Sequence, residues 1–160
     1  MSHHTIEIRG GVAGDQPSLN AVMRSASLAV ESGEVLRLLL AEPQHLEVDI
    51  SLLERGQVVV ATVEGEPAGF ASYLVGGSGE AELNGMFVDP KYWRRGLGRL
   101  MFDAVERELL SRNAIGISVA AGASAVDFYK AVGFVIIGEQ RTALRPVVPV
   151  MRKALRAVPH

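Results

Sequence analysis

The feature that most constrains how this chain can fold is a glycine turn between a strand-like run and a long amphipathic helix. Met86-Phe87-Val88-Asp89-Pro90 closes an apolar run, and Gly96 and Gly98 follow among the basic residues Lys91, Arg94, Arg95 and Arg99. Leu97, Leu100, Met101, Ala104, Val105 and Leu109 then recur at helical spacing, and the helix is expected to end near Asn113, a residue that tolerates the left-handed closing conformation. A second apolar run, Ile115–Ala120, comes next. A whole helix between two strands lets them lie parallel in one sheet, which a tight turn cannot do. A mixed α/β fold is therefore expected.

The turn also has chemistry of its own. A glycine turn that opens a helix presents unpaired backbone N–H groups and the positive end of the helix dipole, and its glycines let an anion approach the backbone closely. The natural ligand is a phosphate or pyrophosphate; a solvated basic flank is the plain alternative. Two known phosphate motifs do not fit. A P-loop needs Lys and then Ser or Thr where Arg99-Leu100 stand, and a dinucleotide fingerprint needs a third small residue where Met101 stands. The net charge of −2 argues against a nucleic-acid partner, so the basic cluster reads as a local site for a small anion.

At 160 residues, 48% hydrophobic and 21% charged, the sequence reads as one globular domain spanning 1–160. It has no cysteine, which removes disulfides, thiolate metal sites and a cysteine acyl-enzyme. Of its four histidines, His3, His4 and His160 are terminal, leaving His45 as the internal one, so no metal site is expected. No run reaches the apolar length of a membrane span and no basic-then-apolar leader opens the chain, so a cytoplasmic protein without a membrane partner is expected.

Taken in order, Thr5–Arg9 alternates as a strand, and Asp15 is placed to cap a helix over about residues 16–31. Two short helices are expected between Gly33 and Gly56, broken at Glu42-Pro43. Their acids, Glu31, Glu34, Glu42, Glu47, Asp49 and Glu54, read as a solvated face or as an acidic rim that attracts a cationic amine. Gln57–Val63 and Ala68–Val75 form an antiparallel hairpin, and Ala81–Val88 is a further strand whose Gly85 signals a bulge or a close approach. Ser124 with Asp127 suggests a capping box on a helix of about nine residues that stops at Gly133. Phe134–Gly138 and Val147–Leu155 pair as strands across a loop around Thr142–Pro146, Pro149 putting the last strand on an edge or near its own start.

Two motifs carry a family resemblance. Met86–Pro90 with Gly96 and Gly98 resembles the coenzyme A pyrophosphate loop of the GNAT superfamily of acyl-CoA-dependent N-acyltransferases, [Gln/Arg]-x-x-Gly-x-[Gly/Ala] after a strand ending in Val-x-Pro, with Trp93 standing where Gln or Arg is usual. Ala125-x-x-Phe128-Tyr129-x-x-x-Gly133-Phe134 resembles the second signature, while Gly122 stands where the family often has Asn. The resemblance covers nearly the whole chain. It implies a central mixed sheet of six to seven strands flanked by about four to five helices.

It further implies acetyl-CoA as co-substrate, held by the backbone of Met86, Phe87 and Val88 and by Arg94, Arg95, Gly96, Leu97, Gly98, Arg99 and Tyr129. The acetyl group would pass by direct attack to a primary amine, with a small-molecule acceptor expected. Tyr129 would protonate the leaving thiolate. Glu82 is the expected general base, with Glu80 and Glu139 as further candidates. The contrasting expectation is a non-catalytic acyl-CoA sensor or assembly domain that keeps the loop and lacks the acid and base. A homodimer is an open expectation, as many relatives are dimers.

Overall fold

The computed structural model describes residues 5–141 and 147–155. The expected loop around Thr142–Pro146 and the terminal His3, His4 and His160 lie outside them. In order, the elements are β1 (Ile6–Gly10), α1 (Gln16–Val30), α2 (Gly33–Ala41), α3 (Ile50–Glu54), β2 (Val58–Val63), β3 (Glu66–Val75), β4 (Glu80–Val88), α4 (Leu97–Ser111), β5 (Gly116–Ala120), α5 (Val126–Ala131), β6 (Val135–Gln140) and β7 (Val148–Ala154). The strands form one seven-stranded sheet in the order β1-β2-β3-β4-β5-β7-β6, within the expected range of strands and helices. The chain divides into two compact units, Met1–Ser72 with Gly85–Val105 and Tyr73–Asn84 with Glu106–His160. Strands β3 and β4 and helix α4 contribute residues to both.

In the first unit β2 pairs antiparallel with β1 and with β3, and every one of its residues is buried, which explains its nearly unbroken apolar sequence. Helix α1 turns Leu19, Val22, Met23 and Ala26 inward at the spacing of one helical face. Burying a side chain such as Leu19 contributes roughly 1.5–3 kcal/mol. Asp15 does not cap α1 with its side chain. Its carboxylate instead takes both arms of the Arg9 guanidinium at 2.8 and 2.9 Å and the Val12 N–H at 2.9 Å, tying the turn before α1 to β1. Bidentate charge-assisted bonds outcompete a single capping bond.

The region from Gly33 to Gly56 forms α2, a 3-10 turn at Pro43–Leu46, and α3. Several of its acids have local work: Asp49 caps α3 by accepting from the Ser51 N–H at 2.9 Å, Glu42 lies 3.3 Å from His45, and Glu34 pairs with Arg37. Gly85 marks a close approach, because a Cβ there would sit 2.8 Å from the Phe87 ring, which folds back along β4 and packs 5.4 Å from Phe70.

In the second unit β5 runs parallel to β4, Glu80–Glu82 facing Gly116–Ser118, and antiparallel to β7. Asn113 closes the turn after α4 with φ of 63°, as its residue type suggested. Pro149 is the second residue of β7, and β7 is an inner strand, so of the two expected placements only the one near the strand start holds. Helix α5 has six residues, preceded by a 3-10 turn at Ala123–Ala125, and no capping box forms at Ser124 because the helix begins beyond it. Strand β6 is one edge of the sheet and is exposed throughout, with Val135, Ile136 and Ile137 at 62%, 51% and 59%.

Candidate functional site

The loop in the first unit is built by a tightly stitched turn. Beyond Val88, the Asp89 N–H bonds to the Ala68 carbonyl of β3 at 2.8 Å, which fixes where β4 stops. The Asp89 carboxylate accepts the Lys91 N–H at 3.0 Å and its carbonyl accepts the Tyr92 N–H at 2.8 Å, closing a 3-10 turn at Pro90–Tyr92. Proline suits the first position of such a turn because it has no N–H to satisfy. The indole Nε1–H of Trp93 reaches back five residues to the Val88 carbonyl at 2.7 Å.

The backbone then changes hand. Arg94 has φ of 65° and Gly96 φ of 77°, while Arg95 between them does not share that conformation. Alternation of this kind turns successive N–H groups toward one concavity, an arrangement suited to anions. Helix α4 starts at Leu97, and its first bond runs from the Leu100 N–H to the Gly96 carbonyl at 3.1 Å. The N–H groups of Leu97, Gly98 and Arg99 precede that bond and belong to the unpaired first turn. Leu97 itself is a core residue at 1% exposure, so only its backbone can meet a ligand.

Arg94, Arg95 and Arg99 are exposed, and no carboxylate among the described residues pairs with them. Arg95 lies over the Tyr92 ring at 5.6 Å, with the Lys91 ammonium 5.7 Å from the same ring. The expected loop residues and the half-buried strand end Met86, Phe87 and Val88 thus come together in one unit, joined by Asp89 and Trp93. The part played by Trp93 was missed in the sequence, where its only signal was an aromatic residue at a position usually held by Gln or Arg.

The expected acid and base lie in the second unit. Tyr129 on α5 is 5% exposed, its ring edge-on to Phe128 at 5.4 Å and to Phe134 at 5.2 Å. Burial in this aromatic cluster pushes its phenol up to about 12. Glu82 points out of β4 between buried Ala81 and Leu83. Glu80 is engaged: the Arg152 guanidinium grips its carboxylate at 2.7 and 3.1 Å and holds it below the usual carboxylate range, so it is a poor proton acceptor. Glu139 is exposed on β6 opposite Pro149. No hydrogen bond joins Glu82 to Tyr129 among the described residues. Nor does any cluster of three or more His, Cys, Asp or Glu there suit a metal ion, and no helix there is long and apolar enough to cross a membrane.

The chain resembles known proteins in sequence and in fold. The sequence model of the Acetyltransferase (GNAT) family matches residues 29–134. The Uncharacterized N-acetyltransferase YafP of Escherichia coli (strain K12) is 30% identical over 93 residues, 58% of this chain and 55% of that protein. The chain thus spans about half the length of that curated relative. Among solved structures, the PaiA N-acetyltransferase of Thermoplasma acidophilum in complex with coenzyme A superposes with a TM-score of 0.76 at 19% identity, covering 94% of this chain and 99% of that one. The ribosomal-protein-S18-alanine N-acetyltransferase of Escherichia coli gives 0.73 at 23% identity, covering 97% of each chain. At such identities these two establish the likeness of fold.

Proposed function

The chain belongs to the acetyltransferase (GNAT) family, and from that premise we propose that it moves an acetyl group from acetyl-CoA to a primary amine by direct attack, with a small molecule as acceptor. The observation that carries this proposal is the loop at Arg94–Arg99, where arginines that no carboxylate among the described residues pairs with surround a backbone of alternating hand at the start of a fifteen-residue helix. Those amides and charges would receive the pyrophosphate, and the backbone of Met86 and Val88 would pair with the pantetheine arm as an added strand.

The chemistry then assigns roles to single side chains. An alkylammonium must first lose a proton, which Glu82 takes through a water. The free amine attacks the thioester carbon, the N–C bond forms, and the C–S bond breaks. The sulfur takes its proton from Tyr129, and the proton shed by the acylated nitrogen restores the phenol. Burial makes this phenol a weaker acid than a thiol, so transfer uncoupled from the nitrogen's loss would be uphill. Tyr129 therefore acts first as a hydrogen-bond donor to the developing thiolate. We also propose a cytoplasmic enzyme, where its acyl donor is available, and a homodimer, for which the exposed apolar residues of β6 are the support.

Incubating the protein with acetyl-CoA, a panel of amines and a thiol-detecting reagent tests the proposal. Thiol release that requires an amine is the expected result. Binding of CoA without turnover would favour a sensor, and failure to bind CoA would refute both.

A further inference from the structure

We propose that Trp93 is a positioning residue for the cofactor loop, clasping it to the end of β4 so that the amides of residues 94–99 are already arranged when coenzyme A arrives. This inference rests on the proposed function, because it names how this chain holds its acyl donor.

Three observations support it. The indole donates to the carbonyl of Val88, the last residue of β4, at 2.7 Å, and so bridges the strand end to the residue just before the left-handed Arg94. Trp93 is 41% exposed, so it is not one of the core residues whose loss would empty the interior. The other bonds of the turn, to Asp89, Pro90 and Ala68, stop at the Trp93 backbone. The indole bond therefore adds a second tether at the position where the chain changes hand. A loop fixed before binding loses less freedom on binding, and affinity rises accordingly.

Isothermal titration with coenzyme A, together with hydrogen exchange of the amides of residues 94–99, tests this in the native protein, Trp93→Phe and Trp93→Leu. The Phe variant keeps a ring and loses the donor, and the Leu variant shows whether ring packing matters separately. Loss of one such bond is expected to weaken CoA binding about two- to tenfold. The loop amides should exchange faster in the free variants and regain protection at saturating CoA, with the melting transition little moved. A variant that binds CoA as tightly as the native protein, or whose free loop exchanges at the native rate, overturns the clasp while leaving the proposed function standing. If the native protein fails to bind CoA, the proposed function falls and the clasp with it.

Discussion

Tyr129 is buried among Phe128 and Phe134, and that burial alone raises its phenol to about 12. Tyr129→Phe keeps the packing and removes the hydroxyl, so CoA binding should persist while turnover drops on the order of ten- to a thousandfold in steady-state assays. The same shift has a consequence for stability. A folded value above the unfolded one, near 10, favours the native state fully below pH 10, and that contribution is lost as pH rises through about 12. Alkaline unfolding should be less steep in the Phe variant, as circular dichroism across that window would show. Glu82→Gln should lower turnover in steady-state assays while leaving CoA binding intact, and a native rate would remove Glu82 from the mechanism. That Tyr129 lies on a helix and Glu82 on a strand was legible, because Tyr129 sits in a spaced motif and Glu82 in the run that leads to the glycine turn. The partners of Asp15 and Glu80 were not, since Arg9 reaches across a turn and Arg152 lies 72 positions from Glu80. Local sequence holds no trace of a bond of that span.

The element that decides function is the turn into α4. Gly98→Val puts a branched side chain where an anion should meet the first-turn amides, and calorimetry should find CoA binding strongly weakened in a folded protein. Gly96 has open space around it but φ of 77°, so Gly96→Ala should cost about 1–2 kcal/mol of stability in a denaturant titration for conformation alone. Raising salt should weaken CoA binding in the native protein and less so in Arg94→Ala, Arg95→Ala or Arg99→Ala, whichever contributes. Strand, turn and helix were readable here because periodicity, glycines and charge agree with one another. Agreement was poorer around α5. Ser124 and Asp127 have capping spacing, but the 3-10 turn at Ala123–Ala125 moves the helix start past Ser124, and its length falls to six residues.

For the whole molecule we propose a single domain over 1–160. The two units share β3, β4 and α4, and a strand or helix that runs through both couples their unfolding. Calorimetry should give one transition whose calorimetric and van't Hoff enthalpies agree; two separate transitions would count against it. The placing of β7 between β5 and β6 bears on synthesis as well as on stability. During translation β5, α5 and β6 leave the ribosome first, yet the neighbour that both strands need arrives only with Val148–Ala154. A chain that stops short of those residues leaves the inner edge of β6 unpaired. Such a chain, truncated at Gln140 and released from the ribosome, should be captured by a chaperone more readily than one extended past Ala154.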